Sequence, residues 1–364
     1  MKESLPNVCT HIQMMPAYEP VIPVEAVARR LGFSPNRIIK LDANENPYAP
    51  VEAVRQALAQ TCDLNRYPDP QQQTLREALS RYHGLPAENI LAGAGADELI
   101  DLLMRLFLQP GDTIINCPPT FGMYEFDANL QRARVVDVYR RPDFSLDLPA
   151  LEAAVEKERP KLLFLASPNN PDGSLAPRAE LERLLALPVV VALDEAYVEF
   201  APPGCTMINE VPRRSNLVVL RTFSKWAGLA GLRVGYGGFP SWMMQRLWKM
   251  KQPYNLSVAG SVAAVVSIEH ADELCCFASR IVAERERFYE EVHKVPWLFP
   301  FPSQANFVLC YVKDRDARAV RQRLAERGIL VRYFDKPCLE NNIRISIGTP
   351  EQMDVLLAAL LEMN

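Results

Sequence analysis

The sequence predicts an α/β protein with a large domain, in which helices cover both faces of a mostly parallel sheet, and a smaller α+β domain. Three apolar runs, at 161–167, 188–194 and 217–223, carry the first part of this prediction. Near-continuous valine and leucine runs that alternate with helical segments are typical of strands buried on both faces. The second part rests on the mixed strands and helices after Pro296.

Length, composition and charge limit the classes of function. The chain has 364 residues, which is enough for about two domains. It is 49% hydrophobic and 23% charged, like an ordinary globular protein, and its net charge of −4 favours neither nucleic acid nor an anionic membrane as partner. The sequence contains no apolar stretch of the roughly 20 residues that a membrane span needs, and no secretory signal is recognisable at its start.

The use of cysteine and histidine argues against a metal site. Eight cysteines are scattered without a CxxC pair, and the four histidines lie far apart in the sequence. These spacings indicate neither a zinc site nor a disulfide framework. We therefore expect no metal, and a reducing, cytoplasmic location.

The elements divide the chain into three parts. Residues 1–45 are predicted to form an N-terminal arm and part of the smaller domain, with a helix that stops at Gly32. Residues 46–270 are predicted to be the large domain, and residues 271–364 the small domain. A long charged helix after Asp272 is the expected connector between them.

Periodicity predicts the individual elements around the apolar runs. Apolar positions at helical spacing predict helices at 51–60 and 71–82, and a third helix that begins at Ala96. In the last part of the chain, QANFVLCYV, GILVRYF and IRISIG are predicted strands, and DARAVRQRLAERG is a predicted helix. Thr349 and Gln352 form a good capping pattern for the final helix.

Polar side chains follow each of the three apolar runs. Asn170 comes shortly after the first run, Asp194 ends the second with Tyr197 close behind, and Ser224 and Lys225 follow the third. In open α/β sheets, ligands bind beyond the carboxyl ends of the strands. The sequence therefore predicts one ligand site at this edge of the sheet.

Lys225 is an amine at the end of a buried strand, with Phe223 and Trp226 beside it. Desolvation in such a place disfavours the ammonium and makes the neutral nucleophile easier to reach. Lysines held this way form Schiff bases, most often with pyridoxal 5'-phosphate. Ser224 and Arg233 are then candidates for binding its phosphate. On this stretch alone, a surface lysine and arginine that flank an ordinary turn are an equally good interpretation.

The segment GAGADE is a second candidate for phosphate binding. Gly95, Ala96 and Asp97 open an apolar helix, and free amides at a helix start bind phosphate well. The alternative is a dinucleotide-binding loop of an oxidoreductase. That alternative lacks a third glycine and a strong strand ahead of the loop.

A pyridoxal ring also needs a carboxylate at its nitrogen and donors at its phenolic oxygen. Asp194 is the candidate carboxylate, because burial at a strand end is costly unless a cation such as the pyridinium pairs with it. Asn170 and Tyr197 are candidate donors to the phenolic oxygen. Phe121 and Tyr124 follow a strand and offer an aromatic face for stacking, although such aromatics are more often core.

The sequence resembles the fold-type-I pyridoxal-phosphate aminotransferases, and within them the histidinol-phosphate aminotransferase group. The resemblance covers nearly the whole chain from about Tyr18. Its motifs are LDANENPYAP, RYPDP, AGAGADE, PPTFGMY, SPNNPDG, LDEAYVEF, RTFSKWAGLAGLRVGY and IRISIGT.

The resemblance implies a role for each matching residue. Lys225 is the Schiff-base lysine, Asp194 the partner of the ring nitrogen, and Asn170 and Tyr197 the donors to the phenolic oxygen. Phe121 takes the ring-stacking position, where the family often has tyrosine.

The resemblance also implies a homodimer with shared active sites. In it, Tyr67 reaches the cofactor phosphate of the neighbouring subunit. The substrate-binding candidates are Tyr18, Asn46, Arg332 and Arg344. Of these, Arg344 is expected to grip the carboxylate of glutamate, and Arg332 and Tyr18 to bind the substrate phosphate or the distal carboxylate.

Three departures from the family pattern concern the substrate more than the cofactor. Val21 and Ile22 stand where the family often has Gly-Lys, Ala94 and Ala96 stand where Asn and Ser are common, and Asp172 replaces the usual threonine. The backbone amides that hold a phosphate do not depend on these side chains.

The predicted reaction is transamination of L-histidinol phosphate with 2-oxoglutarate in histidine biosynthesis, in two half-reactions through one site. The alternatives are an aromatic amino-acid aminotransferase, a decarboxylase of the threonine-phosphate type, the nucleotide-binding oxidoreductase, and a binding module without catalysis.

Overall fold

Two β-sheets form the framework of the structure, a computed structural model that describes residues 8–15 and 22–363. A seven-stranded sheet has the order β2-β8-β7-β6-β5-β3-β4, and a five-stranded sheet has the order β1-β11-β12-β10-β9. The strands are β1 Ile39–Leu41, β2 Ile90–Gly93, β3 Thr113–Asn116, β4 Arg134–Asp137, β5 Leu162–Ala166, β6 Val190–Asp194, β7 Leu217–Thr222, β8 Gly235–Gly238, β9 Leu298–Pro300, β10 Phe307–Val312, β11 Ile329–Tyr333 and β12 Asn342–Ser346.

Helices alternate with the strands of the larger sheet, and others pack against the smaller one. They are α1 Thr10–Met14, α2 Val24–Leu31, α3 Glu52–Gln60, α4 Gln73–His83, α5 Ala96–Phe107, α6 Met123–Leu130, α7 Leu148–Glu158, α8 Arg178–Leu185, α9 Ser241–Met250, α10 Val258–Glu269, α11 Ala271–Val292, α12 Ala317–Glu326 and α13 Pro350–Leu361. Within the described ranges, no helix is both long and apolar enough to cross a bilayer.

The seven-stranded sheet is mostly parallel and is buried on both faces, as the apolar runs predict. Strands β4, β3, β5, β6 and β7 pair in parallel, and β8 runs antiparallel to both β7 and β2. Successive side chains of a strand point to opposite faces. Along β5, Leu163 and Leu165 belong to one apolar core, whereas Leu162 and Phe164 belong to the other. Helices therefore cover both faces, and the predicted fold class is confirmed.

The register of the central strands brings their carboxyl ends to one edge. Ala166 at the end of β5 pairs with Asp194 at the end of β6, and Asp194 pairs in turn with Leu220 near the end of β7. The segments that follow these strands, with Asn170 and Lys225, therefore leave the sheet at the same edge.

The smaller sheet draws its strands from both ends of the chain. Its first strand pairs in parallel with β11, with Ile39 opposite Ile329, and the remaining strands are antiparallel. Residues of the predicted N-terminal part and of the predicted small domain thus share one sheet. The boundaries at 45 and 270 stay predictions.

Strand β8 is the main element that the sequence did not predict. Its residues, GYGG, include three glycines, which are poor strand formers. The structure explains Gly235, because a Cβ there would lie 2.3 Å from the Ala96 amide nitrogen. The small residue lets the start of α5 pack directly on the sheet. The final helix, by contrast, begins with the predicted capping box of Thr349 and Gln352.

Candidate active site

Asp194 is buried at the carboxyl end of β6, and both of its oxygens accept a hydrogen bond. The Tyr124 hydroxyl donates to Oδ2 at 2.6 Å, and the Ala196 amide donates to Oδ1 at 3.0 Å. Burial raises the pKa of Asp194 to about 6, although both hydrogen bonds oppose the rise. A carboxylate in this position favours a cation as its neighbour.

Lys225 follows β7 and points toward the loop after β1. Its Nζ donates to the Ala43 carbonyl at 3.2 Å and lies 6.0 Å from the centre of the Tyr197 ring. Burial, and then the positive charge of Arg344, lower the pKa of Lys225 from 10.5 to about 8. The amine is therefore suited to act as a nucleophile and as a proton carrier near neutral pH.

The Tyr197 hydroxyl lies between two asparagines. Asn44 donates to it from Nδ2 at 3.1 Å, and Asn170 approaches it from Nδ2 at 3.5 Å. Asn44 is buried with a left-handed φ of 54° and is held by Ser346, which exchanges hydrogen bonds of 2.9 and 3.0 Å with it. Sequence reasoning missed Asn44, because its contacts lie 153 and 302 residues away.

Gly95, Asp97 and Arg233 form a polar turn at the start of α5. Arg233 contacts Asp97 Oδ2 at 2.7 Å through Nη2 and Ser224 Oγ at 3.4 Å through Nη1. Gly95 has a φ of +86°, and a Cβ there would lie 2.4 Å from Arg233 Nη2. The chain thus brings together the helix-start amides, a hydroxyl and a guanidinium, which are the groups that bind phosphate.

Arg344 connects the smaller sheet to the loops of the larger one. It donates to Asn170 Oδ1 and, at 2.9 Å, to the Asp42 carbonyl, and its guanidinium lies 5.2 Å from the centre of the Phe307 ring. Arg332 lies directly opposite Arg344 on the neighbouring strand β11, with its guanidinium 5.6 Å from the centre of the Phe334 ring. Two guanidiniums therefore occupy adjacent positions on one sheet.

Asp172, a departure from the family pattern, supports the segment that carries Asn170. It is buried, accepts from the Ser174 amide at 2.8 Å, and accepts a hydrogen bond from Asn169 Nδ2. Asn169 also donates to the Pro119 carbonyl at 2.9 Å. The carboxylate of Asp172 therefore holds this loop through its contacts with Asn169 and Ser174.

The remaining sequence-predicted residues have different surroundings. Phe121 is half-buried with its ring edge-on to Tyr124 at 5.6 Å. Tyr67 is 80% exposed and stacks on Tyr254 at 4.3 Å. Asn46 donates to the Trp226 carbonyl and accepts from the Tyr48 amide, both at 2.9 Å, so its amide group fixes the loop. Tyr18 lies outside the described residues.

These groups together fit a flat aromatic cofactor with a phosphate. The buried Asp194, with two fixed donors, suits a ring cation, and the Gly95 turn with Arg233 suits an anion. Lys225 supplies an amine and Tyr197 a phenol, and the amine nitrogen lies 6.0 Å from the centre of the phenol ring.

Comparison with known proteins agrees with this geometry. The family described as aminotransferase class I and II matches residues 36–360. The chain belongs to this family. Histidinol-phosphate aminotransferase of Roseiflexus castenholzii is 52% identical over 96% of each chain, and chloroplastic histidinol-phosphate aminotransferase 1 of Arabidopsis thaliana is 48% identical over 96% of this chain and 84% of the relative.

A solved structure shares the fold of this aminotransferase over almost its whole length. The crystal structure of histidinol-phosphate aminotransferase from Sinorhizobium meliloti in complex with pyridoxal-5'-phosphate is 32% identical, with a TM-score of 0.90. The match covers 99% of this chain and 98% of the other. The resemblance inferred from the motifs is therefore confirmed.

The lowered pKa of Lys225 predicts a pH profile for its chemical modification. In the folded aminotransferase without added cofactor, the acetylation rate of Lys225 should reach half its maximum near pH 8. In the urea-unfolded chain, the same lysine should do so near its ordinary pKa of 10.5. The neutral amine is the reactive form, so the rate rises as pH passes through the pKa. Peptide mass spectrometry measures both rates, and identical profiles would contradict the prediction.

A substitution at Gly95 should damage the polar turn. We expect Gly95→Ala to weaken the binding of inorganic phosphate about tenfold or more, since the added Cβ collides with the guanidinium of Arg233. Gly84→Ala is the matched control, because Gly84 also has a positive φ of +71° but nothing within 4 Å of an added Cβ. Titration calorimetry compares them; equal affinities for phosphate would contradict the role of the turn.

Proposed function

We propose that this aminotransferase uses pyridoxal 5'-phosphate to transfer the amino group of L-histidinol phosphate to 2-oxoglutarate, a step of histidine biosynthesis. The observation that carries the proposal is a lysine of lowered pKa and a buried carboxylate at the ends of neighbouring strands. The names of relatives that share 48–52% of their residues with this chain support the choice of amino donor.

The cofactor is proposed to lie between Asp194 and Lys225. Asp194 would hold the ring nitrogen and Lys225 the carbonyl carbon, with Phe121 stacked on the ring. When bound, the pyridoxal ring supplies an electron sink that acidifies the C–H bond of the substrate. Tyr197 and Asn170 would bind the phenolic oxygen, and Asn44 supports Tyr197 from the opposite side through its bond of 3.1 Å.

The phosphate of the cofactor is proposed to lie on the turn that precedes α5. The amides of Gly95, Ala96 and Asp97 would face it together with Ser224 and Arg233. The contacts of Arg233 with Ser224 and Asp97, at 3.4 and 2.7 Å, support a shared anion site.

Lys225 is proposed to carry the proton in each half-reaction. Its amine would take a proton from the substrate carbon as general base and then give it, as general acid, to the cofactor carbon that held the carbonyl. A pKa lowered from 10.5 to about 8 increases the fraction of neutral amine at pH 7 by roughly 300-fold, because each unit of pKa changes that fraction about tenfold. That fraction makes the lysine an effective base at neutral pH.

Two arginines are proposed to recognise the substrates. Arg344 would bind the α-carboxylate of glutamate and 2-oxoglutarate, because a guanidinium binds a carboxylate through two parallel hydrogen bonds. Arg332, its neighbour across the sheet, would bind the phosphate of histidinol phosphate or the distal carboxylate, together with Tyr18. Asn170 already contacts Arg344 and would link cofactor and substrate recognition.

The eight cysteines support a reducing compartment, and we infer the cytoplasm. All eight are free thiols in the structure, two of them buried. Proteins of reducing compartments keep their cysteines in this state.

The proposed reaction is tested by a comparison of amino donors. Purified protein is incubated with histidinol phosphate, phenylalanine or threonine phosphate, each with 2-oxoglutarate. We expect glutamate formation with a kcat/KM for histidinol phosphate roughly 100-fold or more above that for phenylalanine, since a site built to pair with the substrate phosphate discriminates strongly against a ligand that lacks it. Lys225→Ala should lose both activity and the visible absorption band of bound pyridoxal phosphate.

Three other outcomes would contradict the proposed reaction. Preference for phenylalanine would favour an aromatic aminotransferase, and release of carbon dioxide from threonine phosphate would reject transamination. Absence of the visible band in the unmodified protein would reject the cofactor itself.

The protein is also proposed to be a homodimer in which Tyr67 contributes to the site of the partner subunit. The phenol is 80% exposed and held in place by stacking on Tyr254, which suits a side chain that projects into a neighbouring molecule.

Hybrid dimers test this shared site. Lys225→Ala and Tyr67→Ala chains are each expected to have little activity, but co-refolding them should restore about a quarter of the wild-type value, since half of the dimers then carry one intact site of two. Lys225→Ala mixed with Asp194→Ala is the matched control, because both residues belong to one chain's site and no intact site forms. Equal activity in the two mixtures would contradict sharing.

A further inference from the structure

Tyr124 is held rigidly behind the Asp194 carboxylate. Its side chain is fully buried, its ring stacks on Phe164 at 4.9 Å, and the ring of Phe121 meets it edge-on at 5.6 Å. The hydroxyl donates to Asp194 Oδ2 at 2.6 Å. Aromatic packing on two sides therefore fixes the direction of one short hydrogen bond.

The second oxygen of Asp194 is fixed from the main chain. The Ala196 amide donates to Oδ1 at 3.0 Å. Tyr124 belongs to α6 and Ala196 to the loop after β6, so the carboxylate is oriented by two separate elements. An ionised carboxylate has about four lone-pair sites, and these two donors leave others for a ring nitrogen.

The charges around Asp194 make the hydrogen bond from the Tyr124 hydroxyl important. Burial raises the pKa of Asp194, and the negative charges of Asp97 and Glu195 act in the same direction. The hydrogen bond from Tyr124 is the largest influence that lowers it. Burial and the charge of Asp194 raise the pKa of Tyr124 well above its ordinary value, so the phenol stays protonated and donates at any working pH.

We propose that Tyr124 is a positioning residue that keeps Asp194 ionised and aimed at the pyridine nitrogen of the cofactor, so that the proton stays on that nitrogen. This inference rests on the proposed function, because it concerns the same cofactor. Without the phenol, the carboxylate would have a higher proton affinity and would draw the proton away from the ring. The ring would then be a weaker electron sink.

The alternative role for Tyr124 is simple space filling in the core. Tyr124→Phe separates the two roles, since phenylalanine keeps the ring and its stacking on Phe164 and removes only the hydroxyl. Tyr236→Phe is the matched control: Tyr236 is also fully buried, and its hydroxyl contacts His83 Nε2 at 2.8 Å and not Asp194.

The test uses the holoenzyme loaded with pyridoxal phosphate that is ¹⁵N-labelled at the ring nitrogen. We expect the nitrogen resonance of Tyr124→Phe to shift toward the value of a neutral pyridine, and cofactor affinity to fall about tenfold, the effect of losing one hydrogen bond to a buried charge. Tyr236→Phe should keep the wild-type resonance. An unchanged resonance in Tyr124→Phe would overturn the proposal.

A double-mutant cycle with Asp194→Asn completes the test. Because Tyr124 acts through the carboxylate, Tyr124→Phe should lower kcat in the wild-type background and have little further effect beside Asp194→Asn. Equal losses in both backgrounds would assign the residue a structural role and overturn the proposal. Failure of the proposed cofactor is a different result, since the wild-type protein would then give no resonance of bound cofactor. A different amino donor would leave the resonance and this inference unchanged.

Discussion

A carboxylate buried at the end of a central strand costs free energy unless a cation and hydrogen-bond donors compensate for it. The chain itself supplies two of the donors to Asp194, the Tyr124 hydroxyl and the Ala196 amide. Its pKa is still raised by burial, so the site favours a positively charged neighbour. The Tyr124 ring and the loop after β6 together fix the orientation of that carboxylate.

The other side of the site depends on contacts between the two sheets. The loop that follows β1 accepts the hydrogen bond of Lys225 at Ala43 and carries Asn44, which Ser346 of the smaller sheet fixes. Arg344 of the same strand lowers the pKa of Lys225 and donates to Asn170. The smaller sheet therefore adjusts the protonation of the amine and places a guanidinium beside Asn170.

The sequence was sufficient to predict residues that follow strong local patterns. Asp194 ends an apolar run, Asn170 and Lys225 follow two other runs within three residues, and the parallel sheet brings such positions to one edge. Asn44 carries no such signal, because its role comes from partners in distant parts of the chain. Tyr124 was recognised only as a possible stacking ring, since spacing does not reveal where a hydroxyl points.

The same limit applies to β8 and to Asn46. The glycines of GYGG give no strand signal, and the close approach of α5 explains the glycine at 235 in this strand, which lies between β2 and β7. Asn46 lies in a motif that suggests substrate contact, and that role stays a prediction. The structure adds that its side chain fixes the loop through Trp226 and Tyr48. In both cases a linear pattern does not contain the tertiary contact.

Lys225 is proposed as the amine that holds the cofactor opposite Asp194. Borohydride reduction of the protein loaded with pyridoxal phosphate, followed by proteolysis and mass spectrometry of the peptides, tests this assignment. We expect one phosphopyridoxyl group per chain, on Lys225. A label on another lysine, with Lys225 unmodified, would contradict it.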